Sequence, residues 1–400
     1  MIRTETVDAA LQTIRTACVP EGILAGAVRH DNYARIWSRD SAIAGIAGSL
    51  YHDDFITAAW GASVQTLAFG QSPHGQIPSN IGADNGQINV SYGTLAGRVD
   101  ATSWWIISAS LYVLHTGDAA RAAEWRPRVD KALQILQIWE MNERGLVYTP
   151  LGGNWADEYV YSGYLLYDQV LRVWALRAAG SAFQMENWRE EAERLTQLLR
   201  LNFSKNDNPA PRYHAKAYAQ TDFPQGYWPS GFGPQGYDVR WDMAANALSL
   251  LLGINEQAAS LSTFLSALAA EVGHWMLPVF WPVIRPGDPD WRLLADNHLY
   301  AFKNQPYCFH NGGSWPVFLG WLTLALTLHG EHRPAGAIAL ALDDALHTEE
   351  PPLTMHEFWR TDTRRPGGVP HLCYTAAGAL LAAYARRPNN DFAPLQSYIA

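Results

Sequence analysis

The chain has 400 residues, of which 48% are hydrophobic and only 17% charged, and its formal net charge is −9. That length supports a large core, no composition shift marks a boundary, and one domain over residues 1–400 is expected. Mild acidity without a run of Lys or Arg argues against nucleic acid as a partner, and no apolar run is long enough to span a membrane.

The stretch Met1–Gly26 interleaves Arg3, Glu5, Asp8, Arg15 and Glu21 with apolar residues, which leaves no uninterrupted signal-peptide core. Apolar residues at three- and four-residue steps predict a helix near Thr6–Ala17. The same spacing recurs near Ser41–Tyr51, Asp54–Phe69, Ala101–His115, Ala119–Met141, Tyr164–Ala179 and Met185–Leu201. It continues near Arg240–Leu252, Glu256–Val272, Gly313–Leu328, Pro334–Leu346 and Leu372–Arg386, making about twelve helices, while strand alternation is weak throughout.

The connections alternate. Gly117-Asp118 and Gly180-Ser181 read as short links, whereas Gly70–Asp100, Asn142–Gly163, Asn202–Val239, Gly273–Gly312 and His347–His371 are long and rich in Gly, Pro and Trp. Long links of this kind are usually functional. Antiparallel hairpins place all of them on one face, so the expected fold is all-α, an (α/α)6 toroid of six helical hairpins. Within that face, Asn202–Val239 and Gly273–Lys303 have the length to act as lids.

The chain holds 17 Trp and 18 Tyr, concentrated between the helices. An indole whose N–H must find a partner is an awkward core residue, so this surplus fits a concave, ring-stacking site for carbohydrate and also leaves room for a homo-oligomer interface. Cys18, Cys308 and Cys373 are odd in number and widely spaced, which suits a reducing cytoplasm and offers no zinc spacing. No metal or cofactor is expected.

Five loop-borne clusters carry the chemistry. In Arg35-Ile36-Trp37-Ser38-Arg39-Asp40-Ser41, Asp40 or Ser41 can cap the next helix, but Arg39 beside Asp40 and Trp37 suits adjacent sugar hydroxyls. Arg98-Val99-Asp100-Ala101-Thr102-Ser103-Trp104-Trp105 again puts an Asp at a helix start, where capping and binding are both open. In Gly152-Gly153-Asn154-Trp155-Ala156-Asp157-Glu158-Tyr159, Asp157 is either a solvated charge or a general acid kept protonated by the apolar ring before it. Phe309-His310-Asn311-Gly312-Gly313-Ser314-Trp315-Pro316 combines an imidazole, an amide, a hydroxyl and an indole around two glycines, the mixture that grips a sugar. Last, Glu357 in Met355-His356-Glu357-Phe358-Trp359 is either a surface carboxylate or a base that activates water.

Together, the His310–Pro316 run, Gly97-Arg98-Val99-Asp100 with Trp104-Trp105, and Thr116-Gly117-Asp118 resemble the neutral/alkaline invertases, inverting glycosidases on an (α/α)6 barrel. The resemblance covers most of the chain from about Tyr33 to Tyr384. The Trp37–Asp40 cluster is similar also to glucoamylases and to the glucosidase domain of glycogen-debranching enzymes. The resemblance implies that Asp157 is the general acid, with Gly163 and Gln169 in matching positions, and that Glu357 is the general base. It further implies that Asp40 and Asp100 hold the sugar. Two departures count against sucrose as the substrate: Glu158 and Tyr159 stand where the family has Arg, and the chain is shorter. The expected reaction is single-displacement hydrolysis of a small α-glucoside. A sugar epimerase on the same barrel, moving protons with a pair drawn from His310, His356 and His371, is the competing reading.

Overall fold

The computed structural model describes residues 2–84, 87–388 and 392–399. Among the described residues there are fifteen α-helices: α1 Thr4–Ala17, α2 Ser38–Ser49, α3 Asp54–Phe69, α4 Val99–Thr116, α5 Ala119–Ile138, α6 Leu166–Ala182, α7 Glu186–Phe203, α8 Ala215–Gln220, α9 Met243–Leu251, α10 Ala258–Val272, α11 Trp291–Asp296, α12 Pro316–Leu328, α13 His332–His347, α14 Cys373–Ala385 and α15 Ala393–Ile399.

Two kinds of helix are distinguished by burial. Helices α2, α4, α6, α9, α12 and α14 are buried almost all round, as their near-continuous apolar and small residues require. They pack in cyclic order, α2 on α4, α4 on α6, α6 on α9, α9 on α12, α12 on α14 and α14 back on α2. Helices α1, α3, α5, α7 and α13 bury one face against α14, α2, α4, α6 and α12 respectively. The tightest crossing is α12 on α14, where Gly320 and Gly378 face backbone so closely that a Cβ on either would collide with it.

Capping chemistry sets several starts and stops. Asp53, Asp118 and Asp242 each accept a hydrogen bond from a first-turn N–H, and Gly117 and Gly273 end α4 and α10 with φ of 67° and 82°. The link expected at Gly180-Ser181 lies instead after Ala182. Gly180 stays helical, packed on Arg189, and the left-handed residue of the turn is Gln184, with φ of 54°.

The chain is mostly helical rather than purely so. Among the described residues, twelve strands of two to five residues form five small antiparallel sheets, all in the links between helices. The largest joins Ile36–Trp37, Asn80–Asp84 and Gln87–Ser91, and another joins Tyr164–Leu165, Gly231–Gly233 and Gly236–Asp238. These two sheets each tie strands of separate links together. None of the described helices is long and apolar enough to cross a membrane.

Candidate active site

Four of the all-round buried helices begin at one cavity of about 320 Å³. Arg39 and Asp40 reach it from the first turn of α2, Arg98 from just before α4, Trp315 from the residue before α12, and Tyr374 from the first turn of α14. The long links supply the rest, including Asn80 and Leu95, Trp155, Asp157 and Glu158, Asn297 to Tyr300 with Lys303, His310 and Glu357. The α1–α2 link adds Tyr33, Arg35 and Trp37.

Its floor is aromatic. The indole of Trp155 stacks on Phe280 at 5.7 Å and meets His310 edge-on at 5.1 Å and Trp315 at 5.4 Å. The His310 ring stacks on Phe309 at 4.0 Å and on Trp315 at 5.5 Å, and those two rings are 5.3 Å from each other. Burial holds His310 well below the usual histidine range, aided by Lys303, Arg39 and Arg98, so its imidazole is neutral. Its Nδ1 and the Trp155 Nε1 are buried without a partner, which leaves polar groups for a hydroxylated ligand to satisfy. Trp37 lines the rim, with Nε1 donating to the Asn32 carbonyl at 2.8 Å.

Beside that floor is a charged cluster. Arg39 donates to Asp100 at 3.0 Å and lies 3.5 Å from Asp40. Burial raises both carboxyls, against the opposing pull of Arg39. Asp100, expected to hold the sugar, is fully buried and does not line the cavity; its Oδ2 accepts from Arg39, and its Oδ1 is buried without a partner.

Asp157 and Glu357 face the same cavity. Glu357 is buried, and burial pushes its carboxyl up to about 6, while the Tyr33 hydroxyl, donating to its Oε1 at 2.8 Å, pulls the other way. Asp157 differs from expectation. Its side chain is 36% exposed, and Arg98 donates to it at 2.6 Å while also donating to the Gly152 carbonyl. The charge beside it is thus a guanidinium, whereas Trp155 turns into the floor. Glu158 also lines the cavity, 3.5 Å from Lys303, and burial raises its carboxyl despite that cation.

The His310–Pro316 run divides by face. His310 and Trp315 line the cavity, whereas Asn311 and Ser314 do not. The Asn311 side chain is engaged on both sides by backbone, and Ser314 pairs with Trp359 through its backbone while its hydroxyl is buried without a partner. These two residues, expected to contact the sugar, thus stand outside the cavity lining.

Of the histidines offered for a proton-moving pair, only His310 lines the cavity. The Nδ1 of His356 sits 2.8 Å from buried Glu349, and the His371 backbone pairs with Thr354 and Ala27. Of the two links expected as lids, the Gly273–Lys303 segment contributes Asn297 to Tyr300 and Lys303, and Asn202–Val239 contributes nothing here; it lines a separate cleft with Pro282 to Ile284. Sequence alone does not single out Tyr33, Arg98, Lys303 and Tyr374 as site residues. Arg98 is the one with a visible signal, since it stands beside Asp100 in a cluster already recognised.

A family model described as alkaline and neutral invertase matches residues 216–358, a stretch that holds the His310 run and Glu357 but not Asp157. Alkaline/neutral invertase CINV1 of Arabidopsis thaliana is 28% identical over 310 residues, covering 68% of this chain and 54% of that protein. Cytosolic invertase 1 of Oryza sativa subsp. japonica is 27% identical over 277 residues, 59% of this chain and 48% of that protein. The chain thus spans about half the length of the curated relatives it matches. Among solved structures, a GH63 mannosylglycerate hydrolase from Thermus thermophilus in complex with glucose superposes with a TM-score of 0.64 at 12% identity, over 94% of this chain and 99% of that one. A bacterial glucoamylase complexed with acarbose gives 0.63 at 13% identity, over 95% of this chain and 55% of that one. The sequence comparisons establish that the chain is similar to the neutral and alkaline invertases, and the two superpositions that its fold is shared with these glycosidases.

Proposed function

We propose that this chain is a cytoplasmic glycoside hydrolase, exo-acting on a small, sucrose-like α-glucoside with inversion, and that residues 1–400 form one (α/α)6 catalytic domain. The observation that carries this reading is the placing of Asp157 and Glu357, far apart in sequence, on one cavity whose floor is Trp155, His310 and Trp315. The cyclic packing of six buried helices supports the toroid. The invertase resemblance supports the substrate class, and three free cysteines suit a reducing compartment.

In this reading, a glucosyl ring lies against the indoles, with Arg39 and Asp40 on neighbouring hydroxyls. Glu357, ionised near neutral pH, takes a proton from a water on the face opposite the scissile bond, while Asp157 protonates the leaving oxygen. In the free enzyme Arg98 donates to Asp157 at 2.6 Å, so the incoming glycoside must displace that contact before Asp157 can reach the leaving oxygen. Glu158 is the rival, because burial favours its protonated form and its Oε2 has no partner.

The test is to screen sucrose, maltose, isomaltose, trehalose and glucosylated polyols, then compare Asp157→Asn, Glu158→Gln and Glu357→Gln on the best substrate and on α-glucosyl fluoride. Losing the acid should cost orders of magnitude on the glycoside and far less on the fluoride, which needs little protonation; azide should rescue only Glu357→Gln. If Glu158→Gln shows the acid signature and Asp157→Asn does not, the acid is Glu158. Retention of anomeric configuration would end the single-displacement proposal.

A further inference from the structure

We infer that Asn304 and Asn311, with Asn297 beside them, are positioning residues that lock the acid-bearing loop to the His310 loop; this rests on the acid being Asp157 or its neighbour Glu158. Asn311 accepts from the Ile284 N–H at 2.7 Å and donates its amide to the carbonyls of Ile284, at 2.8 Å, and Asn304, at 3.1 Å. Asn304 in turn accepts from the Asn311 N–H at 3.1 Å and donates to the Glu158 carbonyl at 2.7 Å. Asn297, at the other end of the same segment, donates to the carbonyls of Tyr159 at 3.1 Å and Asp157 at 3.4 Å.

The chemistry of these contacts is specific to an amide. In Asn304 and Asn311 each side-chain oxygen faces an N–H and each side-chain nitrogen faces a carbonyl, so a carboxylate in either place would meet a carbonyl without a proton to give. Both side chains are completely buried, where loss of one partner leaves the other unsatisfied. Three consecutive carbonyls, those of Asp157, Glu158 and Tyr159, are therefore held by two asparagines that bracket residues 297–304. Within that bracket, Leu299, Tyr300 and Lys303 line the cavity mouth. The backbone bearing both candidate acids is thereby fixed relative to the floor residue His310, which precedes Asn311 directly. The same bonds make the cavity-mouth segment and the acid loop move as one body.

Mispositioning an acid by a fraction of an ångström affects proton transfer much more than ground-state binding. In Asn304→Ala, kcat on the glycoside should fall by roughly tenfold to a hundredfold with KM nearly unchanged, while α-glucosyl fluoride should lose less than about threefold. Hydrogen exchange should show residues 157–163 less protected than in the wild type. Asn297→Ala, at a half-buried position, should reproduce both effects more weakly. Equal losses on glycoside and fluoride, or unchanged protection of residues 157–163 in both variants, would overturn the inference. Running Asp157→Asn and Glu158→Gln in parallel separates the two proposals: if the fluoride rescues neither, the acid assignment has failed, and the exchange data alone decide whether the asparagine link holds the loop.

Discussion

Tyr33→Phe isolates the least expected contact in the cavity. The Tyr33 hydroxyl donates to Glu357 Oε1 at 2.8 Å, and the carboxyl it serves is buried and already pushed up to about 6. A hydrogen bond to a charged group contributes about 1.5–3 kcal/mol, and about 1.4 kcal/mol corresponds to one pH unit. Because the phenol stabilises the ionised form, its removal raises the carboxyl further, by roughly 1–2 pH units. A base has to be ionised to accept a proton from water. At pH 7 the ionised fraction should therefore drop from about nine-tenths to between about one-half and one-tenth.

The assay is kcat/KM against pH between 5 and 9, which reports the free enzyme's essential groups. The acid limb should move upward in Tyr33→Phe, activity at high pH should approach the wild-type plateau, and the alkaline limb should stay in place. An acid limb that does not move, or that moves down, would show that Tyr33 does not act through Glu357 or that Glu357 is not the base. A uniform fall across the whole range would point to loss of packing instead.

Two further outcomes follow from the same site. Burial makes the folded protein hold the Glu357 proton more tightly than an unfolded chain, where the carboxyl titrates near 4.5, so folded-state stability falls as pH rises from about 4.5 through about 6. Glu357→Gln removes that loss: its advantage in thermal unfolding should be absent at pH 4 and reach roughly 2 kcal/mol by pH 7, with activity abolished, and an equal offset at both pH values would contradict the buried-charge account. Hydrolysis should survive exhaustive chelation, since the proposed proton transfers use carboxylates alone; activity lost to chelator and restored by a divalent ion would refute it.

The twelve helices expected from spacing are all present because each is long and either one-sided or wholly apolar, so its register is written several times over. Helices α8 and α11, of six residues each, and the strands of two to five residues are too short to establish a period, and spacing does not reveal them for that reason. At the cavity, the lining residues marked by their own type and local cluster are legible: Trp37, Arg39, Asp40, Trp155, His310, Trp315, Asp157 and Glu357 all reach it. Pair partners distant in sequence are not. Nothing local says that Arg98 will meet Asp157, or Tyr33 meet Glu357, because those contacts exist only once separate links converge.

The His310–Pro316 run shows why residue type alone misassigns a polar side chain. An asparagine beside a glycine pair has the donors and acceptors to bind a hydroxylated ligand, but it has the same groups with which to satisfy buried backbone. The choice is made by which side of the loop it occupies. In this loop Phe309 and His310 face the cavity, whereas Asn311 faces Ile284 and Asn304. The stacked aromatic rings at His310 and Trp155 leave polar edges unpartnered at the cavity, while the amides of Asn304 and Asn311 are fully engaged away from it. Unsatisfied buried groups are costly unless a ligand completes them, and satisfied ones rigidify what they join. The division of this one loop thus separates groups left unpartnered at the cavity from groups that tie its backbone, through Asn304, to the carbonyl of Glu158.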